Sequence, residues 1–391
     1  MIAYNPEELK KIEIMDEAHS WHKSGVIDDD QWNVVTQEFS SNLYHPPIWL
    51  RVLLFIVTII GVNAGMGLFA STFLFNTDSD NAVRVLLALA GISYLLILEL
   101  GLIKSKQHYK SGVSEAFLFL GLGQLIITFY WDDDISLFLV FILLIAGVFI
   151  ALRYLNLIGV IIAAGAFAYL IFDTLYAIGG FAQAIIPMVF VVLFGILYIL
   201  SQYVQKSFKI PFYYKNHFIL IDIILLILTY LGGNYLVVRE LSIELMGLDL
   251  APGEDIPFAF VFYFLTSVIP LIYLLIGLRK KNIILIRTGV LILFASVITF
   301  KYYYSSGHTE FTLTLAGSVV LGLAIWALNY LKTMKHGYTR EQLLSDKWSN
   351  LNAESILVSS TMGGNASIEE PMNDVDLGGG EFGGGGAGDQ Y

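Results

Sequence analysis

The sequence predicts an all-α protein: a polytopic transmembrane helix bundle of about ten spans, with a short helical hairpin before it and a disordered, glycine-rich tail after it. Three observations predict this class. Hydrophobic residues make up 56% of the 391 residues and charged residues only 14%, with a mean hydropathy of +0.70, which exceeds what a soluble protein needs. The apolar residues form separate stretches of roughly 20 residues, the length of a membrane-crossing helix. Basic residues fall mainly on alternate loops between these stretches.

The membrane domain is predicted over residues 48–331. Its runs are continuously apolar and do not alternate in segments of about ten residues, which favours helices over an outer-membrane barrel. The fourth and fifth spans are separated only by Arg153 and a short turn near Asn156. They could form a tight hairpin or one broken element. The predicted spans are 48–75, 83–103, 113–130, 135–152, 155–172, 181–203, 217–238, 257–278, 283–300 and 310–331.

Lysine and arginine in the short loops predict the orientation. Of the 15 basic residues within 48–331, 12 lie on one side and 3, namely Arg84, Arg239 and Lys301, on the other. We expect the basic side to be cytoplasmic, with both termini in the cytoplasm, in the inner membrane of a bacterium.

The net charge of −11 comes from the two ends of the chain and not from the membrane block. Residues 1–47 carry 3 basic and 9 acidic residues and residues 332–391 carry 4 and 9, whereas the membrane block carries 15 of each. Neither end has a basic patch interleaved with aromatic residues, so the expected partner is the lipid bilayer and not nucleic acid. The absence of cysteine excludes disulfides, thiolate nucleophiles and cysteine-based metal sites.

Residues 1–47 predict a cytoplasmic helical hairpin. Apolar spacing follows one helical face from Leu9 onward, Gly25 provides a stop, and Asp28 with Gln31 has the spacing of a capping box. The candidate interaction residues of this hairpin are Trp21, Gly25, Ile27, Asp28, Gln31 and Trp32.

Two histidines of the hairpin, His19 and His22, have the i, i+3 spacing that can place two imidazoles on one face. Without a third ligand we favour packing over metal binding, and no metal or cofactor is predicted.

The tail, residues 332–391, ends in glycine tracts and lacks the lysine that follows the glycines of a phosphate-binding loop. We expect it to be largely disordered and, like the hairpin, open to a cytoplasmic protein partner.

The hairpin sequence resembles the N-terminal signature of bacterial multipass proteins known as domain of unknown function 2157. Trp21, Gly25, Asp28 and Gln31 carry the resemblance, together with the aliphatic pair Val26 and Ile27 between them. It covers about residues 8–150. It implies an integral membrane protein without an assigned reaction and therefore no catalytic residue.

Polar residues inside the spans are the other candidates, because burying them in lipid is costly unless they are paired or hydrated. Glu99, Glu115 and Asp222 lie about one and a half turns from the basic loops, and we expect partners for them among Lys104, Lys110 and Arg287. Asn63 and Gln124 lie deeper, where amides often join helices by hydrogen bonds. The candidate intramembrane site consists of Asn63, Glu99, Gln124 and Asp222.

Two functions follow from these patterns. The first is a non-enzymatic membrane protein with a regulatory or interaction hairpin. The second is a ten-span transporter of a small molecule or ion, built from five-plus-five inverted repeats with Pro187 and Pro270 in broken helices. An enzyme is less expected, because the histidines of the membrane block, His108, His217 and His308, are scattered.

Overall fold

The structure is a computed structural model that describes residues 2–74, 80–129, 136–244, 247, 254–303 and scattered positions between 317 and 332. Within these residues the chain is helical, with one isolated bridge between Tyr44 and His108. The α-helices are α1 Pro6–Lys23, α2 Asp29–Glu38, α3 Ile48–Leu74, α4 Asp80–Leu96, α5 Val113–Phe129, α6 Leu137–Tyr154, α7 Leu157–Ile178, α8 Phe181–Ser207, α9 Lys215–Gly233, α10 Tyr235–Glu244, α11 Ala259–Lys280 and α12 Ile283–Tyr303. A π-helical stretch, Ile97–Ser105, continues α4, and a 3-10 turn, Phe212–Tyr214, precedes α9.

Eight of the described helices are long and apolar enough to cross a membrane. They are α3, α4 with its π-helical continuation, α6, α7, α8, α9 with its preceding turn, α11 and α12. The third predicted span is the shorter α5, of 17 residues. Most of the tenth, 310–331, falls outside the described residues, and the tail beyond Lys332 falls wholly outside them. The predicted fold class is confirmed. The ten predicted spans exceed the eight long apolar helices found among the described residues.

Antiparallel pairs organise the bundle. The closest pairs are α4 with α5, α6 with α7, α8 with α9, and α11 with α12, while α9 also touches α7, α11 and α12. The first span, α3, packs chiefly on α5, whereas the sixth, α8, packs chiefly on its sequence neighbour α9. Among the described helices, the packing therefore follows sequence-adjacent pairs.

The fourth and fifth spans form a tight hairpin. Leu155 adopts the left-handed conformation with φ of 53° and Asn156 caps α7 by accepting a hydrogen bond from the Ile158 N–H at 2.8 Å. Gly147 and Gly159 let the helices touch, since a Cβ on Gly159 would lie 2.7 Å from the Gly147 carbonyl oxygen.

Another small-residue motif, in α3, is not covered by any described residue. A Cβ added to Gly61 or Gly65 of α3 would meet nothing within 4 Å, so this GxxxG spacing faces open space in the described structure.

Two predicted span ends also differ from the structure. The seventh span ends at Gly233 and not at 238, because Asn234 leaves the helical conformation and its side chain caps a separate helix, α10, through the Val237 N–H at 3.1 Å. The fifth span continues past residue 172 to Ile178, so Asp173 lies in a helix and not in a loop.

Replacing Gly159 with Val should destabilise the α6–α7 hairpin. The new Cβ would lie 2.6 Å from the Ala151 backbone nitrogen, and overpacking of this kind costs about 1–3 kcal/mol. Thermal unfolding of the detergent-solubilised protein, followed by circular dichroism, should show a lower midpoint than wild type.

Gly165→Val, in the same helix, is the matched control, since its Cβ would enter open space. Equal midpoints for the two variants would contradict the close approach of α6 and α7.

Candidate functional site

The N-terminal segment is packed into one end of the bundle. Its side chains share a hydrophobic cluster, here called the junction core, with the π-helical stretch, α5, α6 and the α6–α7 turn. The junction core consists of Tyr4, Leu9, Leu43, Leu98, Ile103, Leu118, Ile150, Tyr154 and Leu155, all less than 9% exposed. The base of the hairpin and four membrane elements therefore bury one another.

Backbone hydrogen bonds fix this docking on both sides of the hairpin. The Ala3 N–H donates to the Arg153 carbonyl at 2.9 Å, before α1. After α2, the Tyr44 N–H donates to the Gln107 carbonyl and the Tyr44 carbonyl accepts from the Tyr109 N–H, both at 3.0 Å. The chain on each side of the hairpin is thus tied to a loop or end of the membrane domain.

Burial also decides the protonation state of Tyr4. Its ring meets Tyr109 edge to face, with centroids 4.9 Å apart, and only 8% of the residue is exposed. Burial first, and then the neighbouring Glu115 carboxylate, raise the pKa of the Tyr4 phenol. The group is therefore neutral at physiological pH and acts as a packed, uncharged anchor.

The Glu8 carboxylate holds the linker after α2 against α1. It accepts hydrogen bonds from the Lys11 ammonium at 2.7 Å, the Asn42 N–H at 2.6 Å and the Ser41 hydroxyl at 3.0 Å. The Lys11 bond is the largest of the influences that lower the pKa of Glu8. The ionised form is the one that makes these contacts.

A polar cavity of about 160 Å³ lies beside the junction core, between α1, the loop before α5 and the start of α9. Glu13 and Asp16 line it from α1, and Arg51 and Lys110 from the membrane domain. His217 also lines it, is 6% exposed and has no hydrogen bond at either ring nitrogen among the described residues, although the Ala151 backbone approaches it without hydrogen-bonding geometry. A cavity with this many polar groups can hold ordered water that satisfies the imidazole.

Glu99 forms a bidentate ion pair across the bundle. The Arg153 guanidinium donates to its two oxygens at 2.6 and 2.9 Å, and the Tyr154 hydroxyl donates at 2.7 Å. Glu99 thus has an ion-pair partner, but this partner is Arg153 and not Lys104, Lys110 or Arg287. The π-helical stretch carries Glu99 to the end of α6, where Arg153 and Tyr154 lie.

Asp222 is fully buried and has neutral partners. It accepts hydrogen bonds from the Ser201 hydroxyl at 2.6 Å and from the amides of Gln202 and Gln205 at 2.7 and 2.9 Å. No ion pair to this carboxylate occurs among the described residues, so the expected basic partner is wrong here as well. Three donors from the last turns of α8 suit a carboxylate and join α8 to α9.

The remaining polar residues have local roles. Asn63 is exposed on α3 and donates to the Ile59 carbonyl of its own helix at 2.8 Å, so it does not join helices within the described chain. Gln124 is 8% exposed, and its side-chain oxygen has no described partner. Glu115 accepts from the Gly112 N–H at 2.7 Å at the start of α5.

The four residues of the candidate intramembrane site are therefore not brought together. No described hydrogen bond joins any two of Asn63, Glu99, Gln124 and Asp222, and each lies on a different element with its own surroundings. A shared polar cavity formed by these four is not what the described structure shows.

The capping box in the hairpin forms as predicted. The Gln31 N–H donates to Asp28 Oδ1 at 2.7 Å, and the Asp28 N–H donates to Gln31 Oε1 at 3.1 Å. Gly25 has φ of 69°, a left-handed conformation that favours glycine, at the turn between the helices. These three residues shape the hairpin.

The two tryptophans differ in exposure. Trp32 stacks on His22, with centroids 5.5 Å apart, and meets His19 edge to face at 5.7 Å. The histidines therefore pack on an indole, and His22 also hydrogen-bonds Asp29 at 2.7 Å. Trp21 is 42% exposed at the distal end of the hairpin, which leaves its indole accessible.

The sequence indicated the two acids within the spans, Glu99 and Asp222, but not the residues that hydrogen-bond to them. Ser201, Gln202 and Gln205 of α8 surround Asp222, and their spacing of one and four residues in an apolar helix was a usable signal of one polar face. No comparable signal exists for the pairing of Glu99 with Arg153, 54 residues later.

The fold and these sites define a helical membrane protein with an N-terminal hairpin docked on one end of its bundle. No family model, no curated protein and no solved structure matches the chain.

Glu99→Gln should loosen the junction between the π-helical stretch and α6. The substitution removes the charge that holds Arg153, and because the Arg153 side chain is 34% exposed we expect a loss of about 1–2 kcal/mol in the free energy of unfolding. Limited proteolysis should then cut faster between α1 and α3, since Arg153 also holds Ala3.

Glu244→Gln, which removes an exposed acid from α10, is the control and should leave both the unfolding midpoint and the cleavage rate unchanged. If Glu99→Gln gave the same cleavage rate as this control, the ion pair would have no part in docking the hairpin.

Proposed function

We propose that this is a non-enzymatic multi-pass protein of a bacterial cytoplasmic membrane, with both termini in the cytoplasm, whose N-terminal hairpin is an interaction and regulatory module. The distribution of basic residues supports the orientation, because 12 of 15 in the membrane block lie on the side that carries the hairpin. The resemblance of Trp21, Gly25, Asp28 and Gln31 to domain of unknown function 2157 supports the same proposal.

One observation carries the proposal: the hairpin is buried at its base and open at its distal end. Leu9 and Leu43 are 4% and 7% exposed in the junction core, whereas Trp21, Val26 and Val34 are 42%, 55% and 61% exposed. An exposed tryptophan is a frequent anchor in protein interfaces. A partner bound at the distal end would act on residues that are packed, through α1, against the membrane helices.

Few contacts separate the hairpin from the membrane helices. Binding that shifts α1 moves Leu9 and Tyr4, which pack with Leu98 and Tyr154 in the junction core. Tyr154 in turn donates to Glu99. A displacement of the hairpin therefore acts directly on the packing of the π-helical stretch and α6.

A single cysteine at Trp21 tests orientation and interaction together. The natural chain has no cysteine, so Trp21→Cys gives a unique thiol. A membrane-impermeant maleimide should label it in inverted membrane vesicles and not in intact spheroplasts, and a thiol-linked photocrosslinker at this position should join one discrete cellular protein.

Two control positions sharpen the result. Glu244→Cys, at the opposite end of the bundle, should label in spheroplasts. Gln37→Cys, on an exposed part of α2, should label like Trp21→Cys and give no discrete adduct. Labelling of Trp21→Cys from outside would refute the orientation, and identical adducts from both hairpin positions would refute a specific contact at Trp21.

A transporter is the second candidate, and Asp222 is the observation that favours it. A carboxylate that is fully buried in a span and held only by neutral donors is a frequent feature of proton and ion pathways. In proteoliposomes with an imposed pH gradient, a transporter of this kind should carry protons, and Asp222→Asn should abolish the flux while Glu244→Gln leaves it intact. No flux from wild-type protein would remove this candidate for protons.

A further inference from the structure

A groove of about 340 Å³ lies between α8, α9, α11 and α12, away from the junction core. Its walls are mainly apolar and aromatic, and include Tyr198, Leu226, Tyr273 and Leu285. The volume lies in the range of small-molecule and cofactor pockets, about 300–1,000 Å³.

The groove has the depth of one lipid leaflet. Along α8 it extends from Lys206 to Gly195, a helix rise of about 16 Å. The hydrocarbon core of a bilayer is about 30 Å thick, so the groove reaches about half-way across it. Ile199 and Ile276, on facing walls, are 67% and 38% exposed, so the groove is open towards the surrounding lipid.

The mouth of the groove is positively charged. Lys206 and Lys280 line it from the ends of α8 and α11, are exposed and have no ion-pair partner among the described residues. The N-terminus of α12 adds the positive end of its helix dipole, where Asn282 accepts hydrogen bonds from the N–H groups of Ile284 and Leu285 at 3.0 and 3.2 Å.

No described acidic residue lines the groove to oppose these lysines. Asp222 lies behind the wall, where it accepts from the amide of Gln202, a residue that does line the groove. The Asp222 charge is thus engaged by donors of α8 and not by Lys206 or Lys280.

We infer that the groove binds one anionic phospholipid, with an acyl chain between α8 and α11 and its phosphate at Lys206 and Lys280. Charge complementarity selects an anionic headgroup, because two lysines and a helix N-terminus meet at headgroup level. The apolar, one-leaflet depth selects a lipid over a soluble anion, since a free phosphate would leave the walls below Lys206 uncovered. Basic pockets between membrane helices bind anionic lipid headgroups in this way.

The test measures lipid binding to the purified full chain in a zwitterionic detergent, by native mass spectrometry during titration with phosphatidylglycerol or with phosphatidylcholine of the same acyl chains. Wild-type protein should bind one phosphatidylglycerol more tightly than phosphatidylcholine. The double substitution Lys206→Ala, Lys280→Ala should weaken phosphatidylglycerol binding by about 30-fold and remove the preference.

Two matched variants separate the roles of charge and shape. Lys209→Ala with Arg279→Ala removes two neighbouring exposed charges that do not line the groove and should change the affinity by less than about threefold. Gly195→Leu should weaken binding while both lysines remain, because Gly195 lines the groove and a larger side chain there would take up part of its volume.

Three outcomes would overturn the inference. Equal affinity for the two lipids would remove the headgroup site, and full competition by glycerol phosphate would assign the lysines to a soluble anion. A photoreactive residue in place of Ile276 that crosslinks to the chain's own residues 310–331, and not to phosphatidylglycerol, would assign the groove to that segment.

Discussion

The bilayer imposes the constraint on which the rest of this structure depends: inside hydrocarbon every backbone N–H and C=O group needs a partner within the protein. Continuous helices meet that need, which is why apolar runs of about 20 residues become helices here. Hydroxyl and amide side chains on exposed helix faces follow the same rule, as when Asn63 and Ser93 donate to carbonyls one turn earlier. The polar chemistry that remains available is therefore confined to helix ends and to buried contacts between helices.

Two such contacts show different solutions for an acid within a span. Glu99 is held by the bidentate Arg153 and by Tyr154, whereas Asp222 is held by three neutral donors. Removing Arg153 would leave an unpaired charge at the junction, which makes Glu99 a structural tie between elements. Asp222 needs no cation, and for this reason it is the residue on which the transporter alternative depends.

The hairpin and the groove lie on different helices of the bundle. The hairpin joins the π-helical stretch, α5 and α6 through the junction core, and the groove lies between α8, α9, α11 and α12. Contacts of α7 with α6, α8 and α9 lie between them. A partner at the hairpin and a lipid in the groove would thus contact different helices, with α7 packed between the two groups.

Composition and periodicity determined the fold class, most span positions, the hairpin and its capping box, because each follows from residues within one or two turns of each other. Asp28 and Gln31, for example, form the predicted capping box three residues apart, whereas only the structure decided that the fourth and fifth spans form a tight hairpin. Tertiary structure alone decided that Glu99 meets Arg153, that Asn63 faces outward, and that Lys206 and Lys280 share a groove. These contacts join residues tens of positions apart, and their pairing depends on which helix faces meet, which hydropathy does not encode.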